Sequence, residues 1–383
     1  MRTMARIMAL ALTAALAWGC SDDKEKLKTG DSGADSKAAD KKVTPQDTGP
    51  GLEAMIYPEA GGDATADAGK PDMGKPDAAA GKYWTEFAYS PSGKVYSVMG
   101  TSATNVFAVG QKGLLIKYNG TSWSSMTNPD TSKADLHQLI VHPSASKWYA
   151  LGAQMYLTYT GSAWAKGYSS TTSYYYNFRG GWGPPNGYVY GVGEMNSGSY
   201  YYMSYKTTSS SGIFYSISFG SSGVVKGPMY GAWGLSNGKV WAVGNNGAII
   251  RCNTSGYCTS SSYWKKETSG VTSHLRDIYG FSDKDVFAVG YDGVILRYNG
   301  TKWNKMTTNT STYFHGVWGS SPTNVFAVGH PIFKAQDSIF RFDGTKWLRV
   351  SPPKTSYCND VWGASASDIF VVCNFNILKW KGP

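Results

Sequence analysis

The most regular feature of the chain is a short apolar segment that recurs after residue 82. It has the pattern Val-Phe-Ala-Val-Gly, with conservative changes, and its starts are 39 to 51 residues apart. The seven copies lie at residues 106–110, 148–152, 189–193, 240–244, 286–290, 325–329 and 369–373. Because β-branched and aromatic residues dominate each copy, each predicts a buried β-strand that ends at a turn.

Each copy is flanked by further strand and turn signals. Upstream lies an apolar stretch that often ends in Trp-Gly, as at 182–183, 233–234, 318–319 and 362–363. Downstream, turns such as 245–247 and 291–293 precede another apolar stretch, which leads into Asn/Asp-Gly-Thr-x-Trp at 119–123, 299–303 and 343–347. Asn-Gly and Asp-Gly supply the positive φ angles of tight hairpins. Four short strands per unit predict a propeller blade, so the sequence predicts an all-β, seven-bladed β-propeller over residues 82–383.

The two ends of the repeat region predict how the ring closes. The seventh unit stops at residues 378–383 and lacks a fourth strand, whereas the segment 82–87 precedes the first unit without belonging to it. This segment resembles the missing strand, with Trp84 in the place that Trp123 and Trp303 take in their units. We therefore expect the N-terminal strand to complete the last blade and to cover its open edge.

The repeats also resemble a known group. The Asn/Asp-Gly-Thr-x-Trp turns with their upstream strand are similar to the BNR or Asp-box repeats of sialidase-like propellers and photosystem II assembly factors, although no unit has Ser-x-Asp ahead of the Gly. The likeness spans all seven units. It implies a propeller, and it leaves open a polysaccharide-active enzyme, either a glycosidase or a lyase.

The first 81 residues have a different character. Arg2 and Arg6 precede an apolar stretch at 7–17, which predicts a secretory signal over 1–19. Residues 16–20, Leu-Ala-Trp-Gly-Cys, resemble the lipobox of bacterial lipoproteins, which implies lipidation of Cys20, and Ser21 by the same resemblance implies the outer membrane. The alternative is an ordinary secreted protein with an incidental Cys20. Residues 20–81 have one aromatic residue, Tyr57, and predict a disordered acidic tether.

The composition shows that the segment before residue 82 and the segment after it differ in charge. Only 16% of the residues are charged and 46 are Gly, which argues against a coiled coil or a helical bundle. The net charge of +10 divides into 13 Asp/Glu against 8 Lys in residues 21–81, and 26 Lys/Arg against 13 Asp/Glu in residues 82–383. The basic residues are scattered along the sequence. We interpret them as solvated, and we expect no nucleic-acid partner and a monomeric domain.

Five cysteines divide into Cys20 and two candidate pairs. Cys252 and Cys258 bracket a lengthened hairpin in unit four, where a disulfide would join the ends of the loop. Cys358 and Cys373 fall opposite each other if Trp362 pairs with Ile369 in an antiparallel hairpin. Export permits disulfides. Metal binding is the alternative for these four cysteines, but no His/Cys spacing is typical of zinc, so we expect neither a metal nor a cofactor.

Nothing in the sequence indicates catalytic chemistry. The five histidines lie in no recognisable catalytic motif, and no phosphate loop, zinc-protease motif or nucleophile elbow occurs. Only Glu194 and Glu267 follow residue 86, which argues against a sialidase site. No catalytic residue is predicted.

Two features are candidates for binding. The first strand of each unit lines the channel of a propeller and carries a polar or aromatic residue two places before its central apolar position; these residues are Tyr96, His137, Arg179, Tyr230, Arg276, His315 and Asn359. Such a ring suits an anionic or carbohydrate ligand, or it is simply hydrated. Unit three has 11 of the 27 Tyr between residues 168 and 215, and its candidates for a partner surface are Tyr200, Tyr201, Tyr202 and Tyr205. We predict a membrane-tethered, non-enzymatic module that binds a protein or a glycan at the cell envelope.

Overall fold

The computed structural model describes residues 80–382 apart from 88–91, 143–146, 154, 169–175, 184–186, 196–200, 208–213, 219–225, 253, 255–256, 333–337 and 352–356. The predicted signal (1–19) and all but the last two residues of the predicted tether (20–81) lie outside these residues; residues 80 and 81 begin a short 3₁₀ turn. The described residues form seven antiparallel sheets of four strands each. The first strand of the described residues, β1 (Trp84–Glu86), belongs to the last sheet. No helix within the described part of the chain has both the length and the apolar character needed to cross a bilayer.

The sheets are seven blades, and we call their strands A to D in order from the channel outward. Blade 1 has β2 (Val95–Ser102), β3 (Asn105–Gly110), β4 (Leu115–Tyr118) and β5 (Trp123–Ser125). Blade 2 has β6 (Leu136–His142), β7 (Lys147–Gly152), β8 (Met155–Tyr159) and β9 (Trp164–Tyr168). Blade 3 has β10 (Tyr176–Trp182), β11 (Tyr188–Met195), β12 (Tyr201–Thr207) and β13 (Tyr215–Ser218).

The second half of the ring follows the same plan. Blade 4 has β14 (Met229–Gly234), β15 (Val240–Gly244), β16 (Ile249–Cys252) and β17 (Trp264–Glu267). Blade 5 has β18 (Leu275–Ser282), β19 (Asp285–Gly290), β20 (Ile295–Tyr298) and β21 (Trp303–Lys305). Blade 6 has β22 (Tyr313–Ser321), β23 (Asn324–His330), β24 (Ile339–Phe342) and β25 (Trp347–Arg349). Blade 7 has β26 (Cys358–Ser365), β27 (Asp368–Cys373), β28 (Ile377–Trp380) and β1. Short 3₁₀ turns occur at Ala80–Tyr83, Gln111–Gly113, Asn245–Gly247 and Ser261–Tyr263.

The ring is closed as predicted. The A strands of adjacent blades contact one another all the way round, including those of blades 7 and 1. Strand β1 pairs with β28, so that Trp84 lies opposite Trp380 as Trp123 lies opposite Tyr118 in blade 1. The indole N–H of Trp84 donates to the carbonyl oxygen of Val350 at 2.7 Å. The chain is therefore a seven-bladed β-propeller whose last blade is shared by its two ends.

The recurring Gly at the end of strand B has a steric cause. At six of the seven positions a Cβ would lie within 2.0 to 2.4 Å of a carbonyl oxygen at the start of strand A, for example 2.0 Å from that of Lys94 at Gly110. Real Cβ contacts do not come this close, so a larger residue would push strand A away. Strand B is buried along nearly its whole length because blades pack on both of its faces. The apolar run of the repeat follows from this double burial.

Both predicted disulfides are present. Cys252 is bonded to Cys258, and Cys358 to Cys373 with 3.7 Å between the Cα atoms. The register behind the second prediction was wrong by one residue, because Trp362 lies opposite Phe370 and not Ile369. A bulge between Cys358 and Asp360 inserts one residue into strand A and restores the pairing of the two cysteines.

The two faces of the ring are made of different connections. Strands A begin and strands B end on one face, which we call the mouth face. The A–B hairpins, such as 282–285, and the Asn/Asp-Gly-Thr hairpins at 119–122, 299–302 and 343–346 lie on the other, which we call the hairpin face. The chain enters the ring at Lys82 on the hairpin face, since β1 starts beside Trp380, where β28 ends.

Candidate functional site

All seven candidate ligand residues occupy the same unusual backbone position. Every A strand has a β-bulge near its start, between residues 95 and 97 in blade 1 and at the equivalent place in the other six blades. The extra residue in these bulges is Tyr96, His137, Arg179, Tyr230, Arg276, His315 and Asn359, respectively. A bulge redirects a side chain out of the regular alternation of a strand. The fold thus places these seven side chains at one end of the channel, a set that we call the bulge ring.

Neighbouring members of the bulge ring contact each other. The rings of Tyr96 and His137 stack with centroids 5.4 Å apart, and the guanidinium of Arg276 lies 4.1 Å from the ring centroid of Tyr230. The side-chain amide of Asn359 donates to the carbonyl oxygen of Val95 at 2.7 Å and so joins blades 7 and 1. The bulge ring is thus a polar and aromatic surface in which two neighbouring pairs are in contact.

The two arginines of the ring differ in their partners. Arg179 forms an ion pair with Glu194, at 2.7 Å between Nη2 and Oε1. Arg276 lies between the rings of Tyr230 and Tyr291, whose centroids are 4.1 and 5.8 Å from its guanidinium carbon. Among the described residues it forms no ion pair. A guanidinium that is held by aromatic faces but has no carboxylate partner keeps its N–H donors available for an anionic group.

The two ring histidines are neutral at physiological pH. Burial, together with the nearby charges of Arg179 and Arg276, lowers the pKa of His137 to about 3. Burial, with Arg276 and His330, lowers the pKa of His315 to about 3 as well. The positive charge of the bulge ring therefore comes from its arginines, and the imidazoles act there as polar aromatic groups.

A second set of mouth residues was missed by sequence reasoning. One residue directly follows each repeated segment, and these residues lie beside the bulge ring. They include Glu194, Tyr291 and His330. Tyr291 stacks on Tyr313 at 4.3 Å, and His330 contacts Tyr357 at 3.6 Å between ring centroids. The signal was present in the sequence, because these residues directly follow the repeat at a constant offset. It was not used because the repeat was interpreted as a core strand only.

The channel wall below the bulge ring connects the blades. Asp360 accepts hydrogen bonds from the Ser97 hydroxyl at 2.8 Å and the Val98 backbone N–H at 3.0 Å, which link blade 7 to blade 1. Asp277 accepts from the backbone N–H of Val317 in blade 6 at 2.8 Å. These carboxylates were not predicted as site residues. Because their oxygens accept backbone N–H groups of adjacent blades, we assign them a structural role.

These two carboxylates have raised pKa values. Burial, together with the charge of Asp360, raises the pKa of Asp277 to about 8. Burial raises the pKa of Asp360 to about 6, although the hydrogen bonds that it accepts act in the opposite direction. The folded state therefore holds a proton on Asp277 at pH values where the unfolded chain has released it.

The raised pKa of Asp277 predicts a pH-dependent stability. Between pH 3.8 and about 8 the folded protein binds the proton more strongly than the unfolded chain, so this residue lowers the free energy of unfolding as pH rises. The two ring histidines have lowered pKa values, so they raise the free energy of unfolding as pH rises. They do so only below their ordinary pKa of 6.5. Above about pH 6.5 we expect the free energy of unfolding to fall by up to about 1.4 kcal/mol per pH unit until it levels off.

Urea denaturation of the wild type and Asp277→Asn over this pH range tests the assignment. In the variant the free energy of unfolding should no longer fall as pH rises through this range, whatever its absolute value is. An equal slope in both proteins would show that another group titrates.

The tyrosine candidates of unit three are only partly described. Tyr200 lies outside the described residues, and only the backbone of Tyr201 and Tyr202 is described. Tyr205 lies opposite Tyr215, with ring centroids 5.6 Å apart, on the hairpin side of blade 3 and not at the mouth. The structure therefore does not bring Tyr205 to the bulge ring. No group of three or more His, Cys, Asp or Glu side chains in the described ranges is arranged to hold a metal ion.

Comparison with known proteins supports the assignment of the fold, but it assigns the chain to no family. No known protein family matches the sequence, and no curated protein matches it either. Among solved structures, the chain is similar to YCF48 bound to D1 peptide, with 13% identity, a TM-score of 0.60, and coverage of 79% of this chain and 97% of that one. YCF48 from Cyanidioschyzon merolae gives 12% identity, a TM-score of 0.59, and coverage of 78% and 98%. The WD40 β-propeller domain of Doa1 gives 11% identity, a TM-score of 0.57, and coverage of 78% of this chain and 97% of that one. The class of protein is thus a seven-bladed β-propeller.

Proposed function

We propose that this chain is a non-enzymatic binding module that holds a segment of a protein partner at the bulge ring. The observation that carries the proposal is the coincidence of seven β-bulges at one channel mouth, with Arg276 placed between two tyrosine rings and free of any ion pair among the described residues. Tyrosine and arginine are the residues that most often dominate binding energy at protein interfaces. Their position on the first strands of a closed ring holds them in place before a partner arrives.

The similar solved structures support a partner of this class. One of them is described as bound to a peptide, and the others include WD40 propellers. A propeller that uses its channel mouth for a peptide needs polar donors near the axis and aromatic surface around them. In this chain the bulge ring has both, and Tyr357 and Phe375 near the mouth are 42% and 62% exposed.

We also propose that the propeller is tethered to the bacterial outer membrane through a lipid on Cys20. The support is the lipobox-like stretch at 16–20 and the acidic, aromatic-poor composition of residues 20–81. Labelling of cells with a radioactive or alkyne fatty acid should mark the wild-type chain. A Cys20→Ala chain should be unmarked, and labelling of that variant would contradict this part of the proposal.

The binding proposal is tested with defined probes. The full chain is applied to an array of synthetic peptides and, in parallel, to a glycan array. We expect binding to peptides that carry a carboxylate. Binding confined to glycans would overturn the protein-partner proposal, and release of sugar from a bound glycan would favour a polysaccharide-active enzyme instead.

Arginine variants then locate the site. Arg179→Gln/Arg276→Gln should weaken peptide binding by roughly 10- to 100-fold, because a hydrogen bond to a charged group contributes about 1.5 to 3 kcal/mol. Lys133→Gln/Lys226→Gln, which removes two exposed cations on the same face but outside the ring, is the matched control and should bind as the wild type does. Unchanged binding by the double variant would exclude the bulge ring as the site.

A further inference from the structure

The fold collects lysines that are scattered in the sequence. Five lysines lie on the hairpin face of blades 5 to 7, and all are exposed: Lys82, Lys284, Lys302, Lys346 and Lys381. Lys284 is in an A–B hairpin, Lys302 and Lys346 end Asn/Asp-Gly-Thr hairpins, and Lys82 and Lys381 flank the closing strand pair. We call this surface the lysine face. Successive members are 18 to 202 positions apart in sequence, which is why no cluster was visible there.

The charge of the lysine face is not cancelled locally. None of the five lysines forms an ion pair within the part of the chain that the structure describes. The carboxylates nearest to them are engaged elsewhere: Asp283 pairs with Lys239, Asp368 with Lys379 at 2.8 Å, and Asp285 with Arg297 at 2.7 Å. Asp343 is the remaining acid, and its carboxylate accepts the backbone N–H groups of Thr345 and Lys346. Five cations against one uncompensated acid leave this surface strongly basic.

Two further observations indicate what covers this face. The chain enters the ring here, because Lys82 lies two residues before the closing strand and the backbone N–H of Lys381 donates to the carbonyl oxygen of Tyr83 at 3.0 Å. The 79 residues that come before the described part of the ring therefore join it at the lysine face. Tyr257 and Tyr263 of the adjacent blade 4 are each 48% exposed on the same face. Basic side chains with tyrosines at their border are typical of surfaces that sit at a lipid headgroup layer.

We propose that the lysine face docks on a membrane surface of anionic phospholipids. The five ammonium groups would lie against lipid phosphates, while the bulge ring on the opposite face stays directed toward solvent. This proposal goes beyond partner binding at the mouth and does not depend on it. It requires that vesicle binding be electrostatic and that it be located at these hairpins.

The test uses the full chain with Cys20→Ala, so that no acyl chain contributes. Sedimentation is measured with vesicles of phosphatidylcholine alone and with added phosphatidylglycerol, at low and at high NaCl. We expect binding that requires phosphatidylglycerol and that is lost at high salt. Any apolar contribution of residues 1–19 is shared by all variants and is insensitive to salt, so only the salt-sensitive part is compared.

Two triple variants locate the surface. Lys284→Gln/Lys302→Gln/Lys346→Gln should lower the salt-sensitive partition coefficient on the order of 100-fold, since each lysine near an anionic surface contributes about fivefold. Lys112→Gln/Lys133→Gln/Lys226→Gln removes the same charge from exposed positions on the mouth face and should change it little. Equal losses in the two variants would mean that net charge alone drives binding, and would overturn the proposal. Salt-sensitive binding to duplex DNA without binding to the anionic vesicles would overturn it too.

Discussion

Removal of residues 1–87 is expected to lower the free energy of unfolding of the propeller by more than about 5 kcal/mol, whereas removal of residues 1–79 should leave it unchanged. The difference between the two truncations is strand β1 with its flanks. Trp84 packs edge-on against Trp380 at 5.1 Å, and Phe87 stacks on Phe370 at 6.2 Å. Loss of a packed aromatic side chain costs about 3 to 5 kcal/mol, and here two are lost with a strand pairing.

The longer truncation should also change the solution behaviour. Without β1 the backbone groups of β28 form an open sheet edge, which is a template for pairing with other chains. We expect a lower urea midpoint and concentration-dependent aggregation. Trp84→Ala in the full chain separates the contribution of this side chain, which includes its packing and its 2.7 Å hydrogen bond to Val350, from that of the strand pairing. Equal midpoints for the two truncations would show that blade 7 is stable with three strands.

Loss of the Cys358–Cys373 disulfide is expected to cost about 3 kcal/mol, which is the chain-entropy value for a loop of about 15 residues. The variant Cys358→Val/Cys373→Gly introduces the residue pair that blade 1 has at this place, Val95 opposite Gly110, so no new clash is created. Urea denaturation measures the loss. A reducing agent should destabilise the wild type more than the variant by a similar amount, because the variant has only the Cys252–Cys258 disulfide left to be reduced.

The second disulfide provides a matched comparison. Cys252→Ser/Cys258→Ser opens a loop of six positions and should cost about 2 kcal/mol by the same relation. A larger loss for this variant than for the blade 7 variant would contradict the entropic explanation. It would indicate instead that the contact of the stapled loop with blade 3, where Tyr188 and Tyr257 lie 4.2 Å apart, contributes more than its small loop predicts.

The fold was predictable from the sequence because the blade signal repeats. Seven copies of one strand, with Asn-Gly and Asp-Gly turns at constant offsets, define the number of blades, and the unmatched segment at 82–87 defines the closure. The bulges were not predictable. An inserted residue shifts the pairing of strand A with strand B by one position, but the apolar residues on either side of it still form a pattern that predicts a strand. This is why Trp362 was paired with Ile369 although Phe370 lies opposite it.

The candidate site was only partly predictable. Periodicity selected the seven residues of the bulge ring, but it could not show that Arg179 is neutralised by Glu194 while Arg276 is not. Asp277 and Asp360 were overlooked because their blade equivalents include Gly231 and Gly316, which share no chemistry with them. The lysine face could not be recognised in the sequence for a related reason. Its members come from different hairpins, and only the alternation of strand direction places them on one side.

The shared last blade has a consequence for the order in which the chain can fold. Trp84 and Trp380 are opposite each other in the ladder but 296 positions apart in the sequence. During synthesis strand β1 emerges long before its partner, and six blades can form while β1 is still unpaired. The contact that completes the ring is therefore the last to become available, and it is also one of the longest-range contacts in the chain. A chain that stops short of residue 377 leaves strand β1 without a partner, so completion of the ring reports that synthesis has passed strand β28.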